Sequence, residues 1–319
     1  MSSEKVIPLL SDLSKPDLGL PSQILENLRS ETTHIIHCAW AVNFALPVQS
    51  FSPQLASLQH LINFSLSSPF STPTRLLFCS SVGTAMATPS RDSRVMIPES
   101  PIQDLDHASP TGYARSKLVA ERMIQNAVAS GANATILRIG QIVPAKLTGS
   151  QLWNPNEMIP LMVRSALTTG ALPETPGSSD ACSWIDVDTL SNTILEIGDV
   201  GKLGENEVTS QLVYNLVHPR PFSWKDDFLP VLKLAGLEFE TTSWQSWLEK
   251  LTESERDVGK NPSRKLLGFW EEGSRGDGRR EIVFETKAAE VRSKSMKAAE
   301  NVATGDYITQ LLAAWKAVW

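Results

Sequence analysis

A tyrosine and a lysine stand four residues apart, at Tyr113 and Lys117. On a helix such positions lie on one face, so the phenol and the ammonium can act as one unit. The ammonium favours the phenolate and lowers the pKa of the tyrosine from about 10 towards neutrality. The reduction of a carbonyl group needs a hydroxyl that lends and recovers a proton near neutral pH. The spacing therefore predicts a proton-transfer pair.

A further hydroxyl, that of Ser81, closes the apolar run at residues 75–79. At the end of a buried strand it would point into a ligand crevice and polarise a carbonyl oxygen, as oxyanion donors do. The alternative is a strand-end hydroxyl that bonds only to nearby backbone, which is the usual fate of such a serine. The chain order of Ser81, Tyr113 and Lys117 favours the catalytic interpretation.

Apolar runs without strict alternation predict strands at residues 5–10, 34–39, 75–79 and 134–139. Helical spacing predicts helices at residues 21–29, 51–65 and 112–129, and a loop rich in Pro, Ser and Asp follows from 88 to 110. Buried strands that alternate with helices indicate an α/β fold with a Rossmann-like, doubly wound parallel sheet. Ligands bind beyond the carboxyl ends of such strands. Ser81, the loop around Asn43 and residues 141–144 should meet there.

The pattern changes beyond residue 149, where most of the tryptophans fall among several prolines. Helical patches appear at residues 158–168, 188–197, 228–235 and 243–251, with a strand pattern at 213–217. We predict a dinucleotide-binding domain over residues 1–149 and a smaller, mostly helical substrate lobe over 150–319, interleaved with the first. The composition of residues 271–280 predicts a mobile loop, and residues 307–319 are predicted to form the last helix of the chain.

The net charge of −6 and a charged fraction of 20% argue against nucleic acid or an anionic membrane as partners. No apolar run is long enough for a membrane span, and the first residues lack the apolar core of a signal peptide. We therefore expect a cytoplasmic protein. Cys38, Cys79 and Cys182 lack the spacing of a metal site, so we expect buried free thiols and no metal.

Several blocks of the chain, in order, resemble one family. Ser81, Tyr113 and Lys117 are similar to the Ser/Thr-Tyr-Lys triad of extended short-chain dehydrogenases/reductases. The sequence further resembles the thioester reductase domain, of male-sterility NAD-binding type, in fungal nonribosomal-peptide-synthetase-like enzymes and carboxylic acid reductases. The resemblance covers nearly all of the chain. The matching blocks are residues 12–20, 37–44 (HCAWAVNF), 78–83, 112–122 (GYARSKLVAER), 137–142, 153–157, 170–173, 184–188 and 214–219.

The resemblance implies reduction by NADPH of an acyl thioester, carried on the phosphopantetheine arm of a carrier protein, to an aldehyde or alcohol in secondary metabolism. Ser81 would anchor the carbonyl, Tyr113 would donate the proton, and Lys117 would tune the tyrosine and contact the cofactor ribose. The other cofactor contacts implied are Asp12 on the adenine side, Ala39 and Trp40 along the cofactor, and Val143 and Pro144 at the nicotinamide. For the substrate pocket we expect Gln141, Trp153 and His218.

One departure from the family concerns the loop that binds the phosphates of the cofactor. The family opens with a strand, a Gly-x-x-Gly-x-x-Gly loop and a helix, whose backbone N–H groups hold the pyrophosphate. No such loop precedes Ser11 and Asp12, and Ser11 replaces the family's glycine. By comparison with the family, roughly 60 residues, or two βα units, are absent. We expect an N-terminally truncated sheet and weak or absent NADPH binding.

Three explanations of the departure stay open. The chain is a fragment or mis-called product of a longer reductase, or another polypeptide completes its sheet, or the fold has been remodelled without hydride chemistry. Two functions compete accordingly. The first is a thioester reductase that is impaired as it stands. The second is a non-redox protein on the same scaffold, such as a cofactor-independent isomerase or cyclase or an inactive accessory protein.

Overall fold

The computed structural model describes residues 5–145, 153–177, 179–201, 211–273 and 281–319. The strands are β1 (His34–His37), β2 (Arg75–Ser81), β3 (Arg94–Ile97), β4 (Ala134–Ile139), β5 (Ile142–Val143), β6 (Ala171–Pro173), β7 (Ala181–Cys182), β8 (Ile185–Asp186), β9 (Val213–Leu216), β10 (Phe222–Ser223), β11 (Glu240–Thr242) and β12 (Glu281–Phe284). The helices are α1 (Ser22–Glu31), α2 (Ser52–Leu66), α3 (Gly112–Ala129), α4 (Met158–Arg164), α5 (Ala166–Thr169), α6 (Val187–Gly198), α7 (Leu229–Leu234), α8 (Trp244–Glu253), α9 (Leu267–Gly273), α10 (Lys287–Arg292), α11 (Lys294–Lys297) and α12 (Gly305–Lys316).

The central sheet has four parallel strands in the order β1-β2-β4-β9. Its register pairs His37 with Phe78 and Ser81 with Ile139, so the carboxyl ends of the strands lie at one edge. Parallel neighbours need long crossover connections, and α2, α3 and α6 lie in these connections. The predicted α/β fold with a Rossmann-like parallel sheet is confirmed.

Both faces of this sheet are covered because successive side chains on a strand point to opposite sides. On β2, Leu76 and Phe78 pack with apolar residues of α2 and α3. Leu77 and Cys79 pack on the other face with residues of α6, α10 and α11. The continuous apolar run of β2 is therefore the pattern of a strand buried on both faces.

The second half of the chain builds its own core, rich in tryptophan. Its members come from α4, α7, α8, α9 and α12 and from the short strands β6, β7 and β10, and the largest are Trp153, Trp184, Trp224, Trp247, Trp270 and Trp315. Two-stranded pairings join β6 to β11, β7 to β10 and β5 to β8. Helices dominate this lobe, as expected.

The chain returns to the first half near its end. β12 pairs in parallel with β3, and the Asn215 side chain on β9 donates to the carbonyls of Ile97 and Glu285. The half-buried Glu99 carboxylate accepts hydrogen bonds from the backbone of Ala289, at the start of α10, and of Asn215. The two halves are thus interwoven at this point, while the boundary at residue 149 stays a prediction.

Some expected elements differ. Residues 5–10 form no strand, and Leu10 is 99% exposed, because the described residues offer this run no strand to pair with. The predicted loop at 88–110 contains β3, which is stabilised by distant β12. The predicted loop at 271–280 begins inside α9, and residues 274–280 lie outside the described ranges. In the described part of the chain, no helix has the length and apolarity needed to cross a membrane.

Candidate active site

Ser81 is the last residue of β2 and lies at the carboxyl edge of the sheet, half-buried. Its Oγ accepts a hydrogen bond from the backbone N–H of Gly83, at 3.2 Å. It also lies near enough to the Tyr113 hydroxyl to lower the pKa of the tyrosine. Ser81 therefore makes the backbone hydrogen bond of an ordinary serine at a strand end. It also makes the contact with tyrosine that is expected of a catalytic serine.

Helix α3 presents the tyrosine and the lysine. Its first turn is capped by Thr111, whose hydroxyl accepts from the backbone N–H of Ala114 at 3.2 Å. Gly112 lets this turn approach the preceding loop closely, because an added Cβ would stand 2.2 Å from the Leu46 carbonyl oxygen. The apolar side of α3 is buried against the sheet. Tyr113 and Lys117 thus stand one turn apart at the carboxyl edge, with Ser81.

Tyr113 is largely enclosed, with the rings of Phe44 and Phe51 packed edge-on at 5.2 and 6.4 Å between centroids. Burial raises the pKa of Tyr113 above its ordinary value, and the nearby Ser81 hydroxyl offsets part of this rise. The sequence led us to expect a lowered pKa, so this expectation is wrong for the structure. The phenol is a protonated group at neutral pH.

The position of Lys117 shows why its charge does not offset this rise. Its Nζ donates to the carbonyl oxygen of Cys79 at 2.5 Å and lies 4.4 Å from the ring centroid of Trp40. It stands 6.0 Å from the centroid of the Tyr113 ring. Burial lowers the pKa of Lys117 to about 8, although nearby thiolate and carboxylate charges favour the ammonium. The Lys117 ammonium therefore lies against β2 and the aromatic rings.

A buried ion pair one turn further along α3 went unpredicted. Glu121 binds Arg138 of β4 at 2.8 Å with both side chains fully buried, and Ser80 donates to the same carboxylate at 2.6 Å. The signal was available: an arginine inside the apolar run of β4, and a glutamate four residues after Lys117. This pair fixes α3 to the two central strands.

The residues expected along the cofactor lie at the ends of strands. Ala39 and Trp40 follow β1, and Trp40 Nε1 donates to the Ser116 hydroxyl at 3.1 Å. Val143 is buried in β5, and the carbonyl of Pro144 accepts from the Tyr307 hydroxyl at 2.8 Å. The structure thus ties these segments to α3 on one side and to α12 on the other.

Asp12 lies in the exposed segment ahead of α1. Its carboxylate accepts hydrogen bonds from the backbone and hydroxyl of Ser14, at 3.1 and 2.6 Å. These bonds lower the pKa of Asp12. The neighbouring Leu13 carbonyl bonds to His60 of α2 at 3.0 Å.

The three residues expected at the substrate pocket lie in different surroundings. Gln141 is half-exposed just after β4, and His218, after β9, is buried with Nδ1 bonded to the Arg220 carbonyl. Trp153 lies in the core of the second lobe, 3% exposed, with its ring against Trp184 and Trp315. Because its ring is enclosed by other tryptophans, we do not carry Trp153 into the proposed pocket.

A cavity of about 350 Å³ lies beside the first turn of α3. Its lining includes Phe44, Leu46, Gln49, Pro110, Thr111 and Arg115. Phe44 lines this cavity and packs edge-on against the Tyr113 ring, whereas the Tyr113 and Ser81 hydroxyls are not part of the lining.

The surroundings of Tyr113 suit the nicotinamide-ribose end of a dinucleotide, where hydroxyls and an ammonium are needed. The pyrophosphate end needs a Gly-rich turn from a strand into a helix. Gly198, Gly201 and Gly204 have this spacing, but Gly198 is the last residue of α6 and no strand precedes it directly, and residues 202–210 lie outside the described ranges. Within the described residues, the fit to a dinucleotide is therefore partial.

The three cysteines differ in exposure. Cys79 and Cys182 are buried free thiols, as expected. The same expectation is wrong for Cys38, which is exposed. It follows β1 on the side of the sheet where the edge strand is only partly covered, as the 40% exposure of Ile36 shows.

Comparisons with known proteins give the chain its relatives. It is 34% identical over 279 residues to the adenylate-forming reductase Nps10 of Heterobasidion annosum, covering 84% of this chain and 24% of that protein. It is 29% identical over 297 residues to a carboxylic acid reductase of Neurospora crassa, covering 90% and 27%. The chain thus spans about a quarter of the length of these relatives.

Among solved structures, the fold matches the terminal R domain of the myxalamid PKS-NRPS biosynthetic pathway with a TM-score of 0.75. The identity is 21%, over 98% of this chain and 75% of that one. The sequence profile described as "Male sterility protein", an NAD-binding family, matches residues 1–194, which is more than half of the 319 residues. The chain therefore belongs to the male sterility protein family of NAD-binding domains.

Proposed function

We propose that this chain carries the catalytic part of an NAD(P)H-dependent reductase of the thioester reductase type. The observation that carries the proposal is the pair of neighbouring hydroxyls, Ser81 and Tyr113, with Lys117 one turn along α3. The relatives named as reductases support it. The reaction proposed is the reduction of an activated acyl group to an aldehyde or alcohol in secondary metabolism.

Each of the three side chains has a part in this chemistry. A bound nicotinamide cofactor would supply a hydride to the carbonyl carbon. Ser81 would hold the carbonyl oxygen by a hydrogen bond, and Tyr113 would deliver its proton there as negative charge develops. The raised pKa of Tyr113 keeps that proton in place until it is needed. Lys117 would favour the phenolate left behind and contact the ribose.

The cofactor would lie along the carboxyl edge of the sheet. We assign its contacts to Ala39 and Trp40 after β1, to Lys117, to Val143 and Pro144, and, at the adenine end, to Asp12. Because the described residues hold no Gly-rich turn from a strand into a helix, the pyrophosphate lacks its usual backbone donors. We therefore propose that the chain binds NADPH weakly.

This affinity is the first quantity to measure. Titration of the chain with NADPH, followed by cofactor fluorescence, should give a dissociation constant well above about 1 μM, in the range of non-specific phosphate contacts. NADH serves as a control, since no 2′-phosphate site is assigned here and the two cofactors should bind alike. Micromolar binding of NADPH would contradict the proposal and point to a substitute phosphate site.

The proposed substrate is an acyl group held as a thioester on the phosphopantetheine arm of a carrier protein. The cavity of about 350 Å³ beside α3 suits a narrow arm or a short acyl chain. Gln141, half-exposed at the carboxyl edge, would contact the acyl group, with His218 behind it.

The catalytic role of Tyr113 is tested with an acyl-pantetheine thioester and NADPH at millimolar concentration, following aldehyde and free thiol. Tyr113→Phe should lower turnover by roughly 10²–10⁴-fold, because the reacting oxygen loses its proton donor. The matched control is Tyr214→Phe, a buried tyrosine on β9 facing α6, which should keep its turnover. Equal turnover in wild type and Tyr113→Phe would remove Tyr113 from the mechanism.

The second candidate is a non-redox protein on the same scaffold. The position of Lys117, held against the Cys79 carbonyl, favours it, since the ammonium then acts little on the phenol. Under this alternative the wild-type chain binds the thioester, consumes no NADPH even at millimolar concentration, and converts the substrate only to isomers or not at all. The same assay therefore separates the two candidates.

A further inference from the structure

Two cysteine sulfurs lie close together beneath the proposed active site. Cys38 Sγ and Cys79 Sγ are 3.3 Å apart, and one of the two thiols donates to the other. Cys38 follows β1 directly and Cys79 lies within β2, so the pair continues the register in which His37 faces Phe78. We propose that Cys38 and Cys79 are a redox-active pair that a hydroperoxide converts into a reversible disulfide.

The backbone places these residues where a disulfide can form. Neighbouring strands lie about 4.7–4.9 Å apart, inside the Cα–Cα range of roughly 4.4–6.8 Å that disulfides span. Paired residues of parallel strands project to the same face, so both thiols lie on one side of the sheet. The sulfurs need to approach by little more than 1 Å to reach a bond length of about 2.05 Å. That movement falls on Cys38, beyond the end of β1.

The two cysteines differ in the way that such a pair requires. Cys38 is exposed and can meet an oxidant, while Cys79 is buried beneath it. The hydrogen bond with Cys79 and the charge of Lys117 lower the pKa of Cys38 to about 6. The lowered pKa favours the thiolate, the nucleophilic form, at neutral pH. The same hydrogen bond, together with burial, raises the pKa of Cys79, so it stays a thiol until it attacks.

The chemistry balances with a hydroperoxide as oxidant. The Cys38 thiolate attacks the outer oxygen, an S–O bond forms, the O–O bond breaks, and the alkoxide leaves as an alcohol after taking a proton. Cys79 then attacks the Cys38 sulfur, so the S–S bond forms, the S–O bond breaks, and hydroxide leaves as water with the Cys79 proton. Two electrons pass from the two sulfurs to the peroxide, and a dithiol reverses the change.

Closure of the pair would reach the proposed site through Lys117. Its Nζ is bonded to the Cys79 carbonyl, and the Cys38 thiolate charge favours its protonated form. A disulfide carries no charge, so oxidation removes part of what holds the ammonium. Disulfide formation itself rests on the geometry of the thiols and is independent of the proposed reductase function.

The test counts thiols after oxidation of the native chain. Protein treated with a small excess of tert-butyl hydroperoxide is denatured in the presence of N-ethylmaleimide, which labels the free thiols, and is analysed by mass spectrometry. We expect one labelled thiol, Cys182, instead of three, a peptide pair joined through Cys38 and Cys79, and full recovery after dithiothreitol. Iodoacetamide should label Cys38 in the native protein with a rate that is half-maximal near pH 6.

Two serine variants complete the experiment. Cys182→Ser, in the core of the second lobe, should form the same link. Cys38→Ser should form none and keep Cys79 reduced, because no exposed thiolate starts the reaction. Three labelled thiols in peroxide-treated wild type, a link only between two molecules, or over-oxidation of Cys38 without a link would each overturn the proposal.

Discussion

Lys117 carries its charge in a site that disfavours charge. The side chain is 3% exposed, its Nζ is bonded to a single carbonyl, and aromatic rings of Trp40 and Phe78 cover it. Burial lowers its pKa from 10.5 to about 8. A group whose unfolded form binds protons more tightly than its folded form destabilises the fold when protonated. Lys117 therefore serves chemistry at the expense of stability.

This gives a prediction for Lys117→Met. In the wild type, the unfolding free energy should rise as the pH increases from 8 to 10.5, because in this range Lys117 keeps its proton only in the unfolded chain. Below pH 8 this group should no longer make the unfolding free energy depend on pH. The pKa difference corresponds to roughly 3 kcal/mol. Lys117→Met should lose this slope and unfold at higher urea concentration at pH 7, while losing reductase turnover. Urea unfolding across this pH range measures it.

Lys233→Met is the control at the same scale. Its Nζ also lies over a ring, 4.9 Å from the centroid of Phe239, but the side chain is exposed. This substitution should leave both the slope and the stability at pH 7 nearly unchanged. A wild-type pH profile that Lys117→Met does not alter would contradict the assignment of the slope to Lys117.

Among the elements, α3 depends on the buried pair of Glu121 and Arg138. Removing one member of a buried pair leaves an uncompensated charge, which costs about 3–5 kcal/mol. Arg138→Met should therefore destabilise the chain by that amount, and a second change, Glu121→Leu, should recover part of the loss. Urea unfolding of the single and double variants measures both.

The exposed pair of Arg94 and Glu281 is the matched comparison. It joins β3 to β12 at 3.5 Å, with side chains 61% and 42% exposed. Arg94→Met should cost at most about 1 kcal/mol, since water screens the charges. Losses of similar size in Arg94→Met and Arg138→Met would show that burial of the Glu121 pair contributes nothing.

The elements also show what local sequence can predict. β2, β4 and α3 were predicted within a few residues, because a buried strand and an amphipathic helix leave a periodic pattern in their own residues. Ser81 and Tyr113 meet for the same reason. The strand β3 was missed because its partner, β12, lies almost two hundred residues later. The wrong pKa direction at Tyr113 came from burial by Phe44 and Phe51, which spacing along one helix does not contain.

At the scale of the whole molecule, the two halves share one sheet. β9 lies after the predicted boundary at residue 149, yet it pairs with β4, and its Asn215 bonds to both Ile97 and Glu285. The half-buried Glu99 carboxylate accepts a hydrogen bond from the start of α10. The first half therefore takes both its last strand and the partners of its buried polar groups from the second.

We accordingly expect that a fragment of residues 1–149 does not fold by itself. Without β9 and α10, the sheet exposes an apolar edge, and Glu99 loses the backbone donors that bind it. Circular dichroism of the fragment should show no cooperative thermal unfolding, in contrast to the full chain. A cooperative transition in the fragment would establish an autonomous first domain.

β1 lies at the edge of the sheet, and this position determines where the fold opens most readily. Within the described residues, β1 has a neighbour on one side, β2, whereas β2 and β4 are flanked on both. Half of the backbone groups of β1 thus face away from the ladder, and its opening breaks the fewest bonds. Deuterium should enter the amides of β1 long before those of β2. Ala39 and Trp40 follow β1 directly and therefore belong to the part of the fold that opens most readily. The proposed cofactor-binding edge of the sheet is thus mobile at its β1 end.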